Sequence, residues 1–422
     1  MTNEPAPSGT TADKTDNIVD GPPNCTSEAE AESVPERQTL LVQITGEDRP
    51  GISAGLLGVL DSIGATIDDM EQVVIRGRLT LGALVSLPGG RDAVKELLMF
   101  SWEQKLHVEF EVVEETASMI EPAHVVTVVG ATVSASELRL VADAIADGGG
   151  NIDRIVRLSR QPVMSYEFVV KGGEFSKIRS SLLLAASEVA IDVAVQPEGL
   201  GRRAKRLVVL DVDSTLVQNE VIDLLAAEAG VVGEVSAITE QAMQGHLDFE
   251  QSLRHRVKLL AGLPATAVDA AWDKLKYTPG ARTFMRTLKR LGFTTAIVSG
   301  GFTVFTDRIR EELDIDYSHA NVLEVVDGQL TGELVGPIVD RAQKGRILEM
   351  VAQSEQIPLE QTVAIGDGAN DLDMLELAGL GIAFNAKPVV QAAADTTLSV
   401  PYLDAILFLL GITREEVEAA DL

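Results

Sequence analysis

The sequence predicts an α/β protein with a doubly wound parallel sheet, a helical cap inserted into it, and two βαββαβ units in front of it. Three apolar strands, at 205–210, 293–298 and 362–365, end in small or acidic residues and are separated by helical segments. This pattern is typical of one edge of such a sheet. About sixty residues separate the first strand from its crossover helix, more than an ordinary connection needs. Between residues 38 and 200, one order of strands and helices occurs twice.

The composition narrows the class of protein. A chain of 422 residues, 45% of them hydrophobic and 23% charged, has material for roughly two to four globular domains. Its formal net charge of −29 argues against a nucleic-acid partner, which would require a basic surface. Cys25 is the single cysteine, so an internal disulfide cannot form, as expected in a reducing compartment. No apolar run approaches the roughly 20 residues of a membrane span, and the N-terminus lacks a secretory pattern. We therefore expect a cytoplasmic protein with no membrane partner.

The first 37 residues are rich in Thr, Ser, Pro, Asp and Glu. Such a composition offers little to bury, so we expect a disordered acidic tail at 1–37. The two repeated units follow, at 38–118 and 119–200. In each unit a strand leads through a loop into a helix, two further strands precede a second helix, and a last strand closes the unit. This βαββαβ order is ferredoxin-like.

The loop at 46–52 of the first unit reads Gly-Glu-Asp-Arg-Pro-Gly-Ile. It resembles the start of an ACT domain, a small regulatory module that commonly binds amino acids. The resemblance implies that Gly46, Asp48 and Gly51 lie at a helix N-terminus whose N–H groups suit a carboxylate, with serine as the expected effector. The second unit lacks the Asp-Arg-Pro-Gly element, so ligand binding is less expected there. The alternative is that both units only assemble the protein, and we expect a homodimer joined through them.

The C-terminal half carries the chemistry. Asp211 and Asp213 directly follow the first apolar strand, whereas Ser299 follows the second and Asp367 the third. Because the carboxyl ends of parallel strands meet at one edge, these side chains should converge there. For the first stretch alone, a solvated turn rich in capping residues is the alternative. Carboxylates without His or Cys favour Mg²⁺, and Lys344 would offset the anionic charge. The set predicts phosphoryl transfer.

Four motifs occur in a fixed order: Asp-x-Asp-Ser-Thr-Leu at 211–216, Ser-Gly-Gly at 299–301, an isolated lysine at 344, and Gly-Asp-Gly-Ala-Asn-Asp at 366–371. They resemble the haloacid dehalogenase superfamily over about 205–410. The variant is similar to the phosphoserine phosphatases within it, whose longer bacterial members carry tandem ACT-like units. The resemblance implies a Rossmann-like core of the haloacid dehalogenase type at 201–412. It also implies hydrolysis of O-phospho-L-serine through an aspartyl-phosphate, the last step of L-serine biosynthesis.

The same resemblance assigns roles to the residues. Asp211 would be the nucleophile and a metal ligand. Asp213 would protonate the leaving serine oxygen, would later activate water, and would ligate the metal through its backbone carbonyl. Asp367 would hold Mg²⁺. The phosphate would be bound by Ser299, Gly300, Lys344 and Asn370, with Asp371 as support.

The long insertion at 217–277 is expected to be a cap that selects the substrate. Its apolar pattern predicts three helices, at 221–229, 232–244 and 249–260. On the last of them Arg256 lies at nearly the same azimuth as the apolar Phe249, seven residues earlier. An arginine on an apolar face needs a partner.

Two partners are open for Arg256. One is a salt bridge to Glu220 or Glu228, and the other is a bidentate contact with a substrate carboxylate. The family resemblance favours the second, with Glu220 at the substrate ammonium and with Met243 and Phe249 closing the pocket. An anion-binding and a cation-binding residue beside a phosphate site would specify a phosphoamino acid.

Two alternative functions stay open. The first keeps the fold but changes the substrate, to another phosphomonoester or to phosphoryl transfer onto an acceptor such as homoserine. The second is an amino-acid sensor whose phosphatase half only assembles partners, and the complete set of acidic residues and the lysine argues against it. Residues 413–422 are expected to form a solvated acidic end.

Overall fold

The computed structural model describes residues 37–88, 91–113, 122–243 and 246–420. The acidic tail predicted to be disordered therefore lies outside the described residues, apart from Arg37, which begins the first strand. The chain divides into two compact units, Met1–Met119 and Ile120–Leu422. In the described parts of the chain, no helix combines the length and the apolar character that crossing a membrane requires.

The first unit contains the first predicted repeat. Its elements are β1 Arg37–Glu47, α1 Ile52–Ser62, β2 Thr66–Ile75, β3 Arg78–Pro88, α2 Arg91–Gln104 and β4 His107–Val112. The four strands form an antiparallel sheet in the order β2-β3-β1-β4. Alternate residues of β1 (Leu40, Val42 and Ile44) are buried in one core with both helices, as the two-residue period of a strand requires.

The second unit begins with the second repeat. Its elements are β5 Ala123–Gly130, α3 Ala135–Asp147, β6 Gly150–Ser159, β7 Met164–Gly172, α4 Phe175–Ala186 and β8 Asp192–Pro197. The sheet order β6-β7-β5-β8 repeats that of the first unit. The predicted βαββαβ duplication is confirmed.

The remainder of the second unit, here called the C-terminal domain (residues 200–420), is an α/β domain. Its elements are α5 Leu200–Arg203, β9 Leu207–Leu210, α6 Val221–Ala229, α7 Val232–Met243, α8 Phe249–Lys258, α9 Ala267–Trp272, α10 Ala281–Arg290, β10 Thr294–Phe302, α11 Thr303–Leu313, β11 Tyr317–Val326, β12 Gln329–Val335, α12 Arg341–Ser354, β13 Thr362–Gly366, α13 Leu372–Leu377, β14 Gly381–Phe384, α14 Pro388–Gln391, β15 Thr396–Leu398, α15 Ile406–Leu409 and α16 Arg414–Ala419.

The seven-stranded sheet of this domain has the order β12-β11-β10-β9-β13-β14-β15. The central strand β9 is fully buried because it is covered on both faces. Val208 and Leu210 pack in one apolar cluster, whereas Leu207 and Val209 pack in the other. The strands next to β9 are β10 and β13, both parallel to it. From β9 the chain continues to β10 on one side and later to β13 on the other, so β9 lies at the topological switch point of the sheet. In such sheets a ligand crevice is expected outside the carboxyl ends of the strands at that point.

The cap is the segment between β9 and α10. An antiparallel bridge between Val217 and Tyr277 closes it at its base. The three predicted helices are present as α6, α7 and α8. A fourth short helix, α9, was not predicted.

Two other features differ from the expectation. The edge strand β12 runs antiparallel to β11, so the sheet is not parallel throughout. The acidic C-terminal end was predicted to be a solvated segment, but its described part forms α16. Val417 on this helix is 3% exposed and packs in the core, and Arg414 donates to Asp404 at 2.8 Å. Val417, the fourth residue of α16, therefore holds this acidic segment against the core.

The second repeat packs against the C-terminal domain. The sheet face opposite its helices contributes Val129, Leu158 and Ala194 to the apolar cluster that also contains Val208 and Leu210. Along the edge strand β8, the Asp192 carboxylate accepts from the Ser399 N–H at 2.6 Å. These contacts make one body of the second repeat and the C-terminal domain.

Candidate active site

Two aspartates stand at the carboxyl end of β9. Asp211 is the first residue after the strand and is 3% exposed. The chain then turns through Ser214, whose φ is +58°, and this turn brings Asp213 back to the same edge. The Asp213 carboxylate accepts from the Val221 N–H at 2.7 Å and from the Ser299 Oγ at 2.8 Å. Asp213 is therefore held by the first residue of the cap helix α6 and by the end of β10.

Lys344 lies on α12 and is completely buried. Its Nζ donates to Asp211 Oδ1 and to Asp371 Oδ1, each at 2.6 Å. Burial alone would lower the pKa of Lys344, but the two adjacent carboxylates outweigh it and raise that pKa. A lysine buried between two carboxylates stays charged, and it fixes the orientation of Asp211.

Asp211, Asp367 and Asp371 form a cluster in which one carboxylate oxygen of each residue lies within 4.8 Å of the other two. Both oxygens of Asp371 accept hydrogen bonds, from Lys344 and from the Gly368 N–H at 2.9 Å. Asp367 accepts through Oδ1 from Thr215 at 3.1 Å. One oxygen each of Asp211 and Asp367 has no donor among the described residues. Carboxylate oxygens such as these are ligands that suit a hard divalent cation.

The electrostatics of the cluster also fit a cation. Burial raises the pKa of Asp211 well above its usual value, and the negative charge of Asp371 raises it further while Lys344 opposes the rise. Burial, assisted by the charge of Asp371, raises the pKa of Asp367 to about 6. Close, buried carboxylates repel each other, and a divalent cation would relieve that repulsion.

The Ser-Gly-Gly segment at the end of β10 is tightly enclosed. The Ser299 Oγ donates to Asp213 and accepts from the Gly301 N–H at 2.7 Å. A Cβ on Gly301 would lie 2.6 Å from Val221 Cγ2, so only glycine fits. Ser299 was predicted to bind phosphate, but its hydroxyl proton is directed at Asp213. It would have to turn toward an incoming phosphate.

A cavity of about 600 Å³ lies between this edge of the sheet and the cap. Eight of the predicted site residues line it: Asp211, Asp213, Glu220, Phe249, Arg256, Gly300, Asp367 and Asn370. Ser299 and Lys344 lie beneath the surface of the cavity, fully buried. The side chain of Met243 lies outside the part of the structure that is described.

Sequence reasoning missed several lining residues, among them Asp223 and Lys387. Asp223 lies on α6 three residues after Glu220, hence on the same side of the helix. Lys387 follows the carboxyl end of β14, the strand that pairs in parallel with β13. The rule that located Asp367 after β13 would have located Lys387 had β14 been recognised as a strand.

Arg256 faces the cavity without a carboxylate partner. Its Nε donates to the Ser252 carbonyl at 3.4 Å, and among the described residues it forms no ion pair. Both candidate partners are engaged elsewhere, because Glu220 accepts from the Ser214 Oγ at 2.9 Å and Glu228 pairs with Lys274. Burial lowers the pKa of Arg256, and it raises the pKa of Glu220. The cap therefore places a half-buried arginine with free N–H groups beside a carboxylate.

Known proteins match the chain over nearly its whole length. The phosphoserine phosphatase of Streptomyces coelicolor is 52% identical over 387 residues, which cover 91% of this chain and 94% of that protein. The phosphoserine phosphatase of Mycobacterium tuberculosis is 48% identical over 395 residues, covering 92% and 97%. The chain belongs to the phosphoserine phosphatase family.

The domain models agree with that membership. Residues 205–379 match a haloacid dehalogenase-like hydrolase, and residues 38–111 and 122–196 each match an ACT domain. Among solved structures, a haloacid dehalogenase family hydrolase from Salmonella enterica serovar Typhi superposes with a TM-score of 0.60 at 30% identity, over 68% of this chain and 98% of that one. A probable phosphoserine phosphatase from Vibrio cholerae gives 0.55 at 34% identity, over 70% and 88%. The predicted architecture is confirmed.

The two ACT domains of this family member differ at the start of their first helices. In the first, Gly51 precedes α1 with φ +96°, and no side chain caps the helix. Asp48 is exposed, and a Cβ on Gly46 would lie 2.4 Å from Leu106 Cδ2. In the second ACT domain, Ser134 caps α3 and accepts from the Glu137 N–H at 3.3 Å. The helix N–H groups are thus available to a ligand in the first domain and partly occupied in the second.

Proposed function

We propose that the chain hydrolyses O-phospho-L-serine to L-serine and inorganic phosphate, the last step of L-serine biosynthesis. The observation that carries the proposal is the cavity itself. It joins a buried Asp211–Lys344 pair at its floor to Glu220 and Arg256 in its roof, and Arg256 forms no ion pair with any residue that the structure describes. A phosphate at the floor leaves a carboxylate and an ammonium to be bound at the roof. A phosphoamino acid offers all three groups.

The reaction follows from the positions of the two aspartates. The free oxygen of Asp211 attacks phosphorus, and the bond from phosphorus to the serine oxygen breaks. Asp213 gives its proton to that oxygen, so serine leaves neutral at the hydroxyl. Burial raises the pKa of Asp213, although the hydrogen bonds from Val221 and Ser299 oppose the rise. A carboxyl that keeps its proton to higher pH suits a general acid.

The second half of the reaction regenerates the enzyme. Water attacks phosphorus of the aspartyl-phosphate, Asp213 accepts a proton from that water, and the bond to Asp211 breaks. Lys344 offsets the negative charge that gathers on the transferring group. Ser299, Gly300 and Asn370 are proposed to bind the phosphate oxygens.

We propose Mg²⁺ as the metal, because hard oxygen ligands and a phosphate substrate are its usual partners. Asp367 would hold it through its free carboxylate oxygen, Asp211 through the oxygen that also accepts from Lys344, and Asp213 through its backbone carbonyl, so that the free oxygen of Asp211 stays available for the attack on phosphorus. When bound, the ion supplies positive charge that draws the phosphate toward Asp211. Asp371 holds Lys344 and supports the site without direct ligation.

The test of the activity is phosphate release from L-phosphoserine by the wild-type chain in the presence of Mg²⁺. Release that is fast relative to release from a generic aryl phosphate supports the proposal. Comparable rates on many phosphomonoesters would favour the broader phosphatase. Transfer of the phosphoryl group to homoserine, rather than to water, would favour the transferase.

The affinity of the site for Mg²⁺ should depend on pH. The pKa of Asp367 is raised to about 6 in the absence of metal, and a protonated carboxyl does not ligate. As pH falls through that value, the proton competes with the ion, so Mg²⁺ affinity should fall by about tenfold per pH unit. Calorimetric titration with MgCl₂ from pH 7.5 to 5 measures this.

Two variants control the metal experiment. Asp367→Asn should lose most of the Mg²⁺ affinity at every pH. Asp143→Asn removes an exposed carboxylate that pairs with Arg139 on α3, and its titration should match that of the wild type. An affinity that stays flat between pH 7 and pH 5 would assign the metal to other ligands.

We propose further that an amino acid, with serine as the first candidate, regulates the enzyme at the first ACT domain. The uncapped start of α1 supports this, because its N–H groups suit a carboxylate. Gly51→Ala should weaken the effect of L-serine on activity, since alanine rarely adopts a φ of +96°. Gly58→Ala, in the middle of the same helix with nothing within 4 Å, should respond as the wild type. If L-serine affected the activity of both variants equally, the result would favour the alternative that the ACT domains only assemble the protein.

We also propose a cytoplasmic homodimer joined through the ACT domains. The edge strand β2 supports the association, because Val73, Val74 and Ile75 are 51%, 44% and 68% exposed, and an open apolar edge favours pairing with a second copy. Light scattering of the wild type gives the molar mass, which distinguishes a dimer from a monomer.

A further inference from the structure

A second cavity lies near the amino ends of the parallel strands, opposite the carboxyl ends that form the active site, and between the second ACT domain and the C-terminal domain. Its volume is about 290 Å³, which suits a small metabolite and not a nucleotide. One wall is made by α4 and the end of β8. The other is made by the segment before β9, by Glu360, and by the segment that leads into β14. The proposed reaction does not use this cavity.

The cavity contains two cations whose charges are not matched by contact with a carboxylate. Arg179 donates only to main-chain carbonyls, those of Ala394 at 3.1 Å and Asp395 at 3.2 Å. Lys205 is 7% exposed and donates to the Glu360 carbonyl at 2.6 Å. Neither forms an ion pair among the described residues. A carbonyl satisfies a donor but does not neutralise its charge, so both cations remain able to attract an anion.

The third cation of the lining, Arg202, points to the same conclusion. It is paired with Glu167, and its side chain is 7% exposed. Yet its Nε is buried without a hydrogen-bond partner among the described residues. A buried donor of this kind costs free energy unless a ligand or an ordered water satisfies it. The cavity thus offers one unmet donor in addition to the two unmatched charges.

The lining also offers negative charge and apolar surface. The carboxylate of Glu198 forms no ion pair among the described residues, and Phe175, Val195 and Leu380 supply apolar contacts. A simple anion would leave this carboxylate unmatched, and a simple cation would leave the arginine and lysine unmatched. A zwitterion satisfies both signs within a small volume.

We propose that this cavity, here called the interdomain cleft, binds a small α-amino acid. Its carboxylate would meet Arg179 and Lys205, and its ammonium would meet Glu198. Lys205 is six residues before Asp211 on the segment that becomes β9, so the cleft lies about 20 Å from the reaction. A ligand that contacts both domains stabilises their packing, and the cleft is therefore a site at which an amino acid stabilises the enzyme without occupying the active site.

The test must separate the cleft from the two other proposed amino-acid sites. We would use the full chain carrying Arg256→Ala and Gly51→Ala, which weaken the active site and the first ACT domain respectively. Equilibrium dialysis with labelled L-serine, glycine and L-alanine should still find one saturable site for at least one of them. If none of the three binds, the proposal is overturned.

Further variants in that background place the site. Arg179→Ala should weaken binding about tenfold or more, as loss of a charge-assisted hydrogen bond predicts. Lys177→Ala removes a cation from the same helix that pairs with Glu174 in solvent, and it should bind as before. Glu198→Gln keeps the side-chain shape and should also weaken binding, which keeps the test decisive if Arg179→Ala fails to fold. Binding unaffected by both changes at the cleft would overturn the proposal.

The ligand class is tested by competition. Propionate lacks the ammonium and inorganic phosphate lacks both the ammonium and the apolar part, so neither should displace the amino acid at an equal concentration. Displacement by either would overturn the assignment to a zwitterion. The result is independent of the enzyme assay, because the cleft can bind an amino acid even if the wild type fails to hydrolyse phosphoserine.

Discussion

Asp211→Asn should abolish the hydrolysis of phosphoserine. The amide has no anionic oxygen to attack phosphorus, and it weakens the metal site as well. Loss of a catalytic nucleophile reduces kcat by at least about 10⁴-fold in enzymes where it has been measured, and we expect a loss of that order. The measurement is initial-rate release of inorganic phosphate at saturating substrate and Mg²⁺.

The variant should remain folded, because Lys344 keeps its second partner, Asp371. A thermal unfolding scan checks this. Asp269→Asn is the matched control, since it removes an exposed carboxylate that pairs with Arg308 on the surface, and its rate should equal that of the wild type. A variant at residue 211 that retained a tenth of the activity would exclude a covalent intermediate on this side chain.

The central strands and the position of the site could be predicted because each rests on a local pattern. The four apolar residues of β9 are buried on both faces, which is why they show no alternation. Asp211 and Asp367 end neighbouring parallel strands, so their convergence follows from topology alone. The cap could be located because Val217 and Tyr277, which pair at its base, enclose far more chain than a loop needs.

Other features were missed for two different reasons. The antiparallel edge strand β12 had a local signal that was not used. Asp327 and Gly328 have φ of +49° and +76° between Val326 and Gln329, which pair, and an Asp-Gly pair of this kind predicts a two-residue hairpin. The convergence of Ser299 and Asp213 at one edge was predicted, but their hydrogen bond was not, because 86 residues separate them and a direct contact depends on how the folded sheet orients the two side chains.

The two carboxylates that hold Lys344 illustrate the same limit. The lysine could be recognised as an isolated cation near the start of a helix, but its burial between Asp211 and Asp371 depends on how α12 packs against the sheet. In the structure, Asp371 accepts a hydrogen bond from Lys344, which keeps the lysine charged and oriented toward Asp211. Sequence reasoning could assign Asp371 only a general supporting role.

Arg256→Ala should separate substrate recognition from chemistry. The guanidinium faces the cavity with free N–H groups, so a substrate carboxylate can accept from it in a bidentate manner. Loss of two charge-assisted hydrogen bonds should raise KM for phosphoserine about 10²- to 10³-fold. Arg256→Lys should recover only part of this, because an ammonium keeps the charge but not the planar fork. Steady-state kinetics on L-phosphoserine measure both.

A generic aryl phosphate provides the internal control, because it has no carboxylate for Arg256 to bind. Its kcat/KM should change by less than about threefold in either variant, since Asp211, Lys344 and the metal ligands lie at the other end of the cavity. Arg254→Ala is the matched substitution, two residues earlier on the same helix, where the arginine pairs with Glu250 on the surface. It should leave both substrates unaffected. If Arg256→Ala slowed both substrates equally, the arginine would be holding the cap in place, and specificity for a phosphoamino acid would have to come from Glu220 or from residues such as Asp223 that line the same wall.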